Sequence, residues 1–469
     1  MHCWKVRVAA RWPYAIAAVR VGLVAACTLF ALSYGGTPAV AQTLPEALAA
    51  TIQNNPTLRA AQARLRAVNE GVPQALSNWR PTVTASGSAG KARIDSHTDD
   101  EGTTPRSATL EVSQPLYRGG RTLADTERAE NEVIAERYRL TSVEQDVLLR
   151  ASTAYTDVWR DQSVLRLNIS NEEVLRRQLE AAQDRFEVGE ITRTDVAQSE
   201  SRLAGATAAR IAAEGVLNAS RAVFREVTGL EPGALGAPSP LYSLPVGLSD
   251  VVTVATDNNP DVQAASYSER AARNQVRLVE GELLPSVAVI GSASHREETT
   301  SRESHSEGLQ VLAEVTVPLY QRGAVSSRVR QAKQTANQRR IEVEETRRRI
   351  EQEATSAWEA LLTARAAISS FEAQVRAAEI ALEGVRQENA VGARTILDIL
   401  DAEQELLDAQ VNLVGARRDE VVAGYQVVSA IGRLTSSDLD LAVPHYDPEA
   451  DYNEVRDSWF GLDAPGVAD

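Results

Sequence analysis

The chain has 469 residues, of which 24% are charged and only 5% aromatic, and its net charge is −15. So acidic a chain is a poor candidate for binding nucleic acid. Its two cysteines, Cys3 and Cys27, both lie in the opening segment, which excludes disulfides and cysteine metal sites from the rest.

The opening reads as a secretory signal over residues 1–41. Lys5, Arg7, Arg11 and Arg20 supply the positive charge, Val21 to Tyr34 is mostly apolar, and Ala39-Val40-Ala41 fits a cleavage site before Gln42. A rival reading takes Val24-Ala25-Ala26-Cys27 as a lipobox, but that leaves only Val21 to Ala26 as the apolar core. Loss of the four basic residues takes the charge from −15 to −19. No run long and apolar enough for a membrane helix follows, so entry into a membrane requires a closed β-barrel.

The remainder reads as one unit written twice. Asn54-Asn55-Pro56 recurs as Asn258-Asn259-Pro260, Pro115-Leu116-Tyr117 as Pro318-Leu319-Tyr320, Gly189 as Gly392, and Asp195 as Asp398. Tyr155 corresponds in the same way to Trp358. The units span 42–230 and 248–435. A Pro/Gly-rich connector, 231–247, lies between them, and an acidic tail without periodicity, 436–469, is expected to be loosely ordered.

Each unit begins with a helix, about Pro45 to Ser77 and Leu248 to Glu282, rich in good helix formers. Two strands follow: Thr82 to Ala89 with Ser107 to Pro115, then Ser286 to Ser294 with Glu307 to Pro318. The last alternates with period two, Leu309, Val311, Ala313, Val315 and Val317 on one face. Polar loops are expected at Asp95 to Pro105 and His295 to Ser306.

A very long proline-free helix comes next, from Thr122 in the first unit, roughly 95 Å at 1.5 Å per residue. In the second unit Ile350, Ala354, Ala357, Leu361, Ala364, Ile368, Phe371, Val375, Ala378, Leu382 and Val385 make a sustained heptad seam. Leu140, Val143, Val147, Ala151, Ala154 and Val158 do so in the first. A second stripe there, Leu148, Tyr155 and Trp159, is expected to meet neighbours on the other side. Each long helix reverses at a Val-Gly pair, Val188-Gly189 and Val391-Gly392, and returns to Gly229 or Gly432. Past the second turn, Asp398 and Asp401 stand three residues apart, on one helix face. Ordinary solvated carboxylates at a helix start are the alternative for both.

Four strands cannot close a barrel, so strands from several chains must combine, eight from two chains or twelve from three. Trp79, Tyr117 and Tyr320 sit where strands meet helices, as an interfacial aromatic girdle would. Both strand pairs point one way and both turns the other.

On these residues the mature chain resembles the TolC family of outer-membrane efflux and secretion channels. The carriers are the duplicated Asn-Asn-Pro, the Pro-Leu-Tyr-x-x-Gly at strand ends, the two Val-Gly turns and the string Val391-Gly392-Ala393-Arg394-Thr395-Ile396-Leu397-Asp398-Ile399-Leu400-Asp401. The resemblance implies a mainly α fold with a small β part: a homotrimer with a 12-stranded barrel, four strands per chain, continued by a helical tunnel of coiled-coil hairpins. It implies a passive exit duct set in outer-membrane lipid and reaching into the periplasm. A periplasmic adaptor and an inner-membrane pump or ABC transporter would be its partners. Arg394 resembles the arginine that ties one hairpin to its neighbour in the closed state, with Thr194 and Asp195 as partners and Asp398 and Asp401 as acidic constriction rings. Val188, Gly189, Val391 and Gly392 resemble the grooves that meet an adaptor. One departure stands out: the family's best-known member has a tyrosine in the closing network where this chain has Asn389.

No nucleophile motif, phosphate loop or paired histidines at helical spacing is present, so neither an enzyme nor a cofactor is expected. His97, His295 and His305 are read as loop residues, and no metal site is assigned to them. The alternative function is a non-conducting coiled-coil anchor of the outer membrane.

Overall fold

A computed structural model describes residues 42–95, 100–239, 243–299 and 301–462. The signal segment, His97 and the end of the tail lie outside them. Each expected opening helix is broken. The first gives α1 (Leu44–Asn54), α2 (Pro56–Asn69) and α3 (Gly71–Ser77). The second gives α6 (Leu248–Asn258) and α7 (Pro260–Glu280), then a single 3-10 turn.

The cause of the first break in each is the Asn-Asn-Pro motif. A residue before proline is pushed out of the helical region, and proline itself suits the first helical position. Asn55 accordingly sits at φ −68°, ψ 123°, and Asn259 at φ −59°, ψ 130°. Both side chains then face two ways. Asn55 Oδ1 accepts from the Thr57 N–H (2.9 Å), while its Nδ2 donates to Val227 O (3.0 Å) at the end of the return helix. Asn259 does the same with the Asp261 N–H (2.9 Å) and Ala430 O (3.0 Å).

The strands β1 (Thr82–Ala89), β4 (Arg106–Arg118), β5 (Ser286–Glu297) and β6 (His305–Thr316) form one antiparallel sheet in the order β1-β4-β5-β6. The β4–β5 pairing joins the two halves of the chain, with Leu110 opposite Ala293 and Val112 opposite Gly291. Register puts Val83, Leu110, Val112, Leu309, Val311 and Val315 on one face, and all six are exposed in the single chain. Among the described residues, β1 and β6 each keep one edge unpaired. The expected loop from Asp95 instead carries a small hairpin of β2 (Ala92–Asp95) and β3 (Asp100–Thr103). His295 and His305 fall on strands, not in a loop.

The long helices α4 (Arg121–Glu187) and α8 (Ala324–Ala390) have 67 residues each, about 100 Å at 1.5 Å per residue. They return through α5 (Arg193–Thr228) and α9 (Ile396–Ala430). Every position of the second heptad seam is buried or half-buried, against α9 and its neighbours. The second stripe meets neighbouring helices of the same chain. Leu148 and Tyr155 are fully buried in a core shared by α1, α4, α5 and α9, and Trp159 packs on its margin. Trp358 belongs to the matching core around α6, α8 and α9. The Tyr155 hydroxyl lies 2.8 Å from Gln42 O and 3.0 Å from Gly236 O, so it pins the start of the described chain to the connector. Burial pushes its pKa up to about 12.

The tail is more ordered than its composition implied. Asp447 caps α10 (Pro448–Arg456) through the Glu449 N–H (2.8 Å), and the helix packs on α2 and α3. Tyr452 rests beside Val72, Ala75, Ala129 and Val133, under the Arg137 guanidinium.

Candidate functional site

Sheet and turns occupy opposite ends of the long helices, because α4 and α8 run unbroken from the strand ends to the reversals. Each reversal is built alike. Gly189 and Gly392 take φ of +81° and +80°, a left-handed conformation that glycine adopts without strain. The reversing backbone is closed by Glu190 N–H to Arg185 O and Ala393 N–H to Glu388 O, both 2.9 Å, a pattern typical of helix C-termini. Val188 and Val391 stand at the apex, 72% and 81% exposed.

Each return helix starts with a capping box. Thr192 and Asp195 exchange bonds at the first turn: the Thr192 N–H and hydroxyl donate to Asp195 Oδ2 at 2.9 and 2.8 Å, and the Asp195 N–H donates to Thr192 Oγ1 at 3.3 Å. Thr395 and Asp398 repeat this at the second, at 2.8, 2.8 and 3.3 Å. The backbone bond from threonine, then its hydroxyl, hold both carboxyls below the usual aspartate range.

Asp398 and Asp401 therefore do different things. Asp398 closes its own helix start, whereas Asp401 pairs with Arg202 of α5 and so ties the two return helices together. Arg394 does not meet Thr194 or Asp195 in this chain. Its Nε donates to Glu388 Oε2 at 2.9 Å, and its Nη1 lies 3.8 Å from Asp398 Oδ1. Thr194 is exposed beside the first cap. Asn389 Nδ2 donates to Arg394 O at 2.8 Å, bracing the turn from inside. Just behind the turns, Leu175, Ala206 and Leu400 join α4, α5 and α9 in a small apolar cluster.

Sequence reasoning passed over Thr192, Thr395, Arg202 and Glu388. The first two were legible, since Thr-x-x-Asp before an apolar run spells a capping box. At the other end Trp79, Tyr117 and Tyr320 are all exposed where the sheet gives way to helices. Among the described residues no helix is long and apolar enough to cross a membrane.

The sequence profile described as "Outer membrane efflux protein" matches residues 47–230 and again 251–433. The chain belongs to the outer membrane efflux protein family. The outer membrane efflux protein BepC of Brucella suis is 35% identical over 432 residues, covering 92% of this chain and 94% of that protein. The outer membrane protein TolC of Vibrio cholerae is 27% identical over 408 residues, 85% of this chain and 92% of its own. The Campylobacter jejuni CmeC outer membrane channel shares the fold, with a TM-score of 0.76 over 88% of this chain and 89% of that one at 15% identity. The TolC-family resemblance and the Gram-negative outer-membrane location expected from the sequence therefore hold. The family is one of channel proteins rather than enzymes.

Proposed function

We propose that the chain is one protomer of a trimeric exit duct, passive, gated at its periplasmic turns and fed by an adaptor with an inner-membrane pump or ABC transporter. The observation that carries this reading is the unfinished sheet. Four antiparallel strands have an exposed apolar face and two open edges, at the far end of helices about 100 Å long. Lipid offers no partner for an open edge, so such a sheet calls for strands from other copies; three copies give twelve. Trp79, Tyr117 and Tyr320 then form the interfacial girdle. The doubled family match and the twin Asn55 and Asn259 breaks support an internal duplication, with boundaries at 42–230, 231–247 and 248–435.

At the turns, Asp398 and Asp401 from three copies surround one axis and favour cations. Arg394 is the latch. In one chain it rests on Glu388; in the closed trimer it exchanges that partner for Thr194 and Asp195 of a neighbouring hairpin. The Asp195 cap engages Oδ2, which leaves the geometry of Oδ1 suited to an incoming guanidinium. Asn389, braced on Arg394 O, positions the latch instead of joining it. Val188, Gly189, Val391 and Gly392 offer an apolar apex for an adaptor.

Single-channel conductance of the purified protein in a planar bilayer tests this, native beside Arg394→Ala. Small cation-selective steps that grow in the variant are expected. Equal conductance in both removes Arg394 from the gate. No conductance in either favours the non-conducting anchor.

A further inference from the structure

At the end of the sheet farthest from the helices, the paired strands β5 and β6 bring two imidazoles and two carboxylates together. Register sets His295 opposite Glu307 and Glu297 opposite His305. Residues two apart on a strand share a face, and directly paired residues share it too. All four side chains therefore project from the same side of the hairpin, in two adjacent rows. The contacts agree. His295 Nε2 lies 3.2 Å from Glu297 Oε1, His295 Nδ1 lies 3.3 Å from Glu307 Oε1, and His305 Nε2 lies 3.8 Å from that same oxygen. The two imidazoles meet edge to face with centroids 4.9 Å apart.

We propose that His295, Glu297, His305 and Glu307 form a binding site for a divalent transition-metal ion, with zinc as the representative ion. Ligand atoms from His295, Glu297 and His305 all lie within 4.8 Å of one another. A tetrahedral zinc with bonds of about 2.0–2.1 Å to nitrogen and oxygen spaces its ligands roughly 3.3 Å apart. Small side-chain rotations from the observed contacts close that difference, with no backbone movement. Two imidazole nitrogens with carboxylate oxygens suit zinc and its neighbours, whereas calcium and magnesium prefer oxygen alone. A paired hairpin holds the ligands in register before the ion arrives.

The neighbouring Glu298 is not a ligand. Its Oε2 accepts from the Thr104 N–H and hydroxyl, at 3.0 and 2.5 Å, and its backbone N–H donates to Ser304 O at 2.7 Å. It fixes the loop that joins the two strands, and so holds the ends of β5 and β6 at their spacing. The competing account is that the four groups only hydrogen-bond across the strands, as such pairs often do.

The proposal stands whether or not the chain conducts, because it needs only the hairpin. Untagged full-length protein in detergent, stripped with a chelator, is titrated with zinc against a chromophoric competitor. One ion per chain is expected. His295→Ala and His305→Ala should each weaken binding at least about tenfold, and the double variant should abolish it. His445→Ala serves as a control with unchanged affinity. Circular dichroism checks that each variant keeps its fold, and His305→Gln, which keeps a hydrogen-bonding group, separates metal loss from strand damage: it should fold normally and still lose affinity. X-ray absorption of the zinc-loaded native protein should show imidazole and oxygen ligands only. Absence of zinc binding in the native chain, or equal binding in the double variant, overturns the assignment.

Discussion

Asp195 and Asp398 show how one side chain serves two ends. Each is the third residue of a return helix and completes a capping box, so its first duty is to start the helix. The same carboxylates face the tip that we assign to the gate. Their depressed pKa values carry a pH consequence with a definite sign. A carboxyl held below its unfolded value, about 4 for aspartate, stabilises the fold above that value. The contribution is lost as pH falls through the lower, folded value. Hydrogen exchange, corrected for intrinsic rates, should therefore show the starts of α5 and α9 losing protection below about pH 4. In Thr395→Ala, the start of α9 should be poorly protected at pH 6 as well, with little further change on acidification. Unchanged protection of the native chain down to pH 3 would sink the capping account.

Arg202 and Asp401 mark the limit of what residue-level reading can do. They pair across 199 positions with no shared motif, and only the packing of α5 against α9 brings them together. Asp398 was placed by its spacing from Asp401, yet its nearest partner stands three residues before it.

Among the elements, the repeated Asn-Asn-Pro illustrates both legible and hidden information. Proline announces the break, and the asparagine before it announces a cap. The bond from the same asparagine to the end of a distant return helix could not be read from sequence. Asn55 is buried and satisfied on both sides, so Asn55→Ala leaves Val227 O without its donor and the Thr57 N–H without its acceptor. A loss of about 1–3 kcal/mol is expected, measured as a lowered midpoint in denaturant. Asn259→Ala should match it, since its bonds are the same in kind and length. A null effect at both positions would mean that the breaks are held by packing alone.

The four main strands were legible because their alternation is long. The β2–β3 hairpin was not, for its strands have four residues each, too few to establish a period. The tail helix was overlooked for the opposite reason. Asp447-Pro448-Glu449 is a proper start signal, but acidic composition was allowed to outweigh it. The second stripe on α4 was legible as an apolar surface for neighbouring helices, but which helices, α1, α5 and α9 of the same chain, only the packing shows.

At the scale of the whole molecule, the junction between sheet and helices is a place of very close backbone approach. A Cβ on Gly119 would lie 2.3 Å from Gly281 O, and one on Gly281 would lie 2.6 Å from Gly119 O. The two halves of the chain touch there backbone to backbone, and no side chain fits between. That contact joins the start of α4 to the end of α7, and beyond it each long helix runs without a break to its turn.

That arrangement makes the two 67-residue helices a pair of matched rulers. Both follow a strand of the same sheet, and it is their equal length rather than their absolute length that would keep the two turns level. Adding one heptad to α4 and one to α5 would push the first turn about 10 Å past the second, keeping the α4–α5 heptad register but breaking cross-hairpin pairs such as Arg202–Asp401. Such a chain should still fold and insert, yet lose export, as a transport assay in cells would report. The same heptad added to all four long helices should restore level apices and simply move the mouth deeper. Recovery of export in the doubly extended chain would show that reach can drift so long as both hairpins drift together.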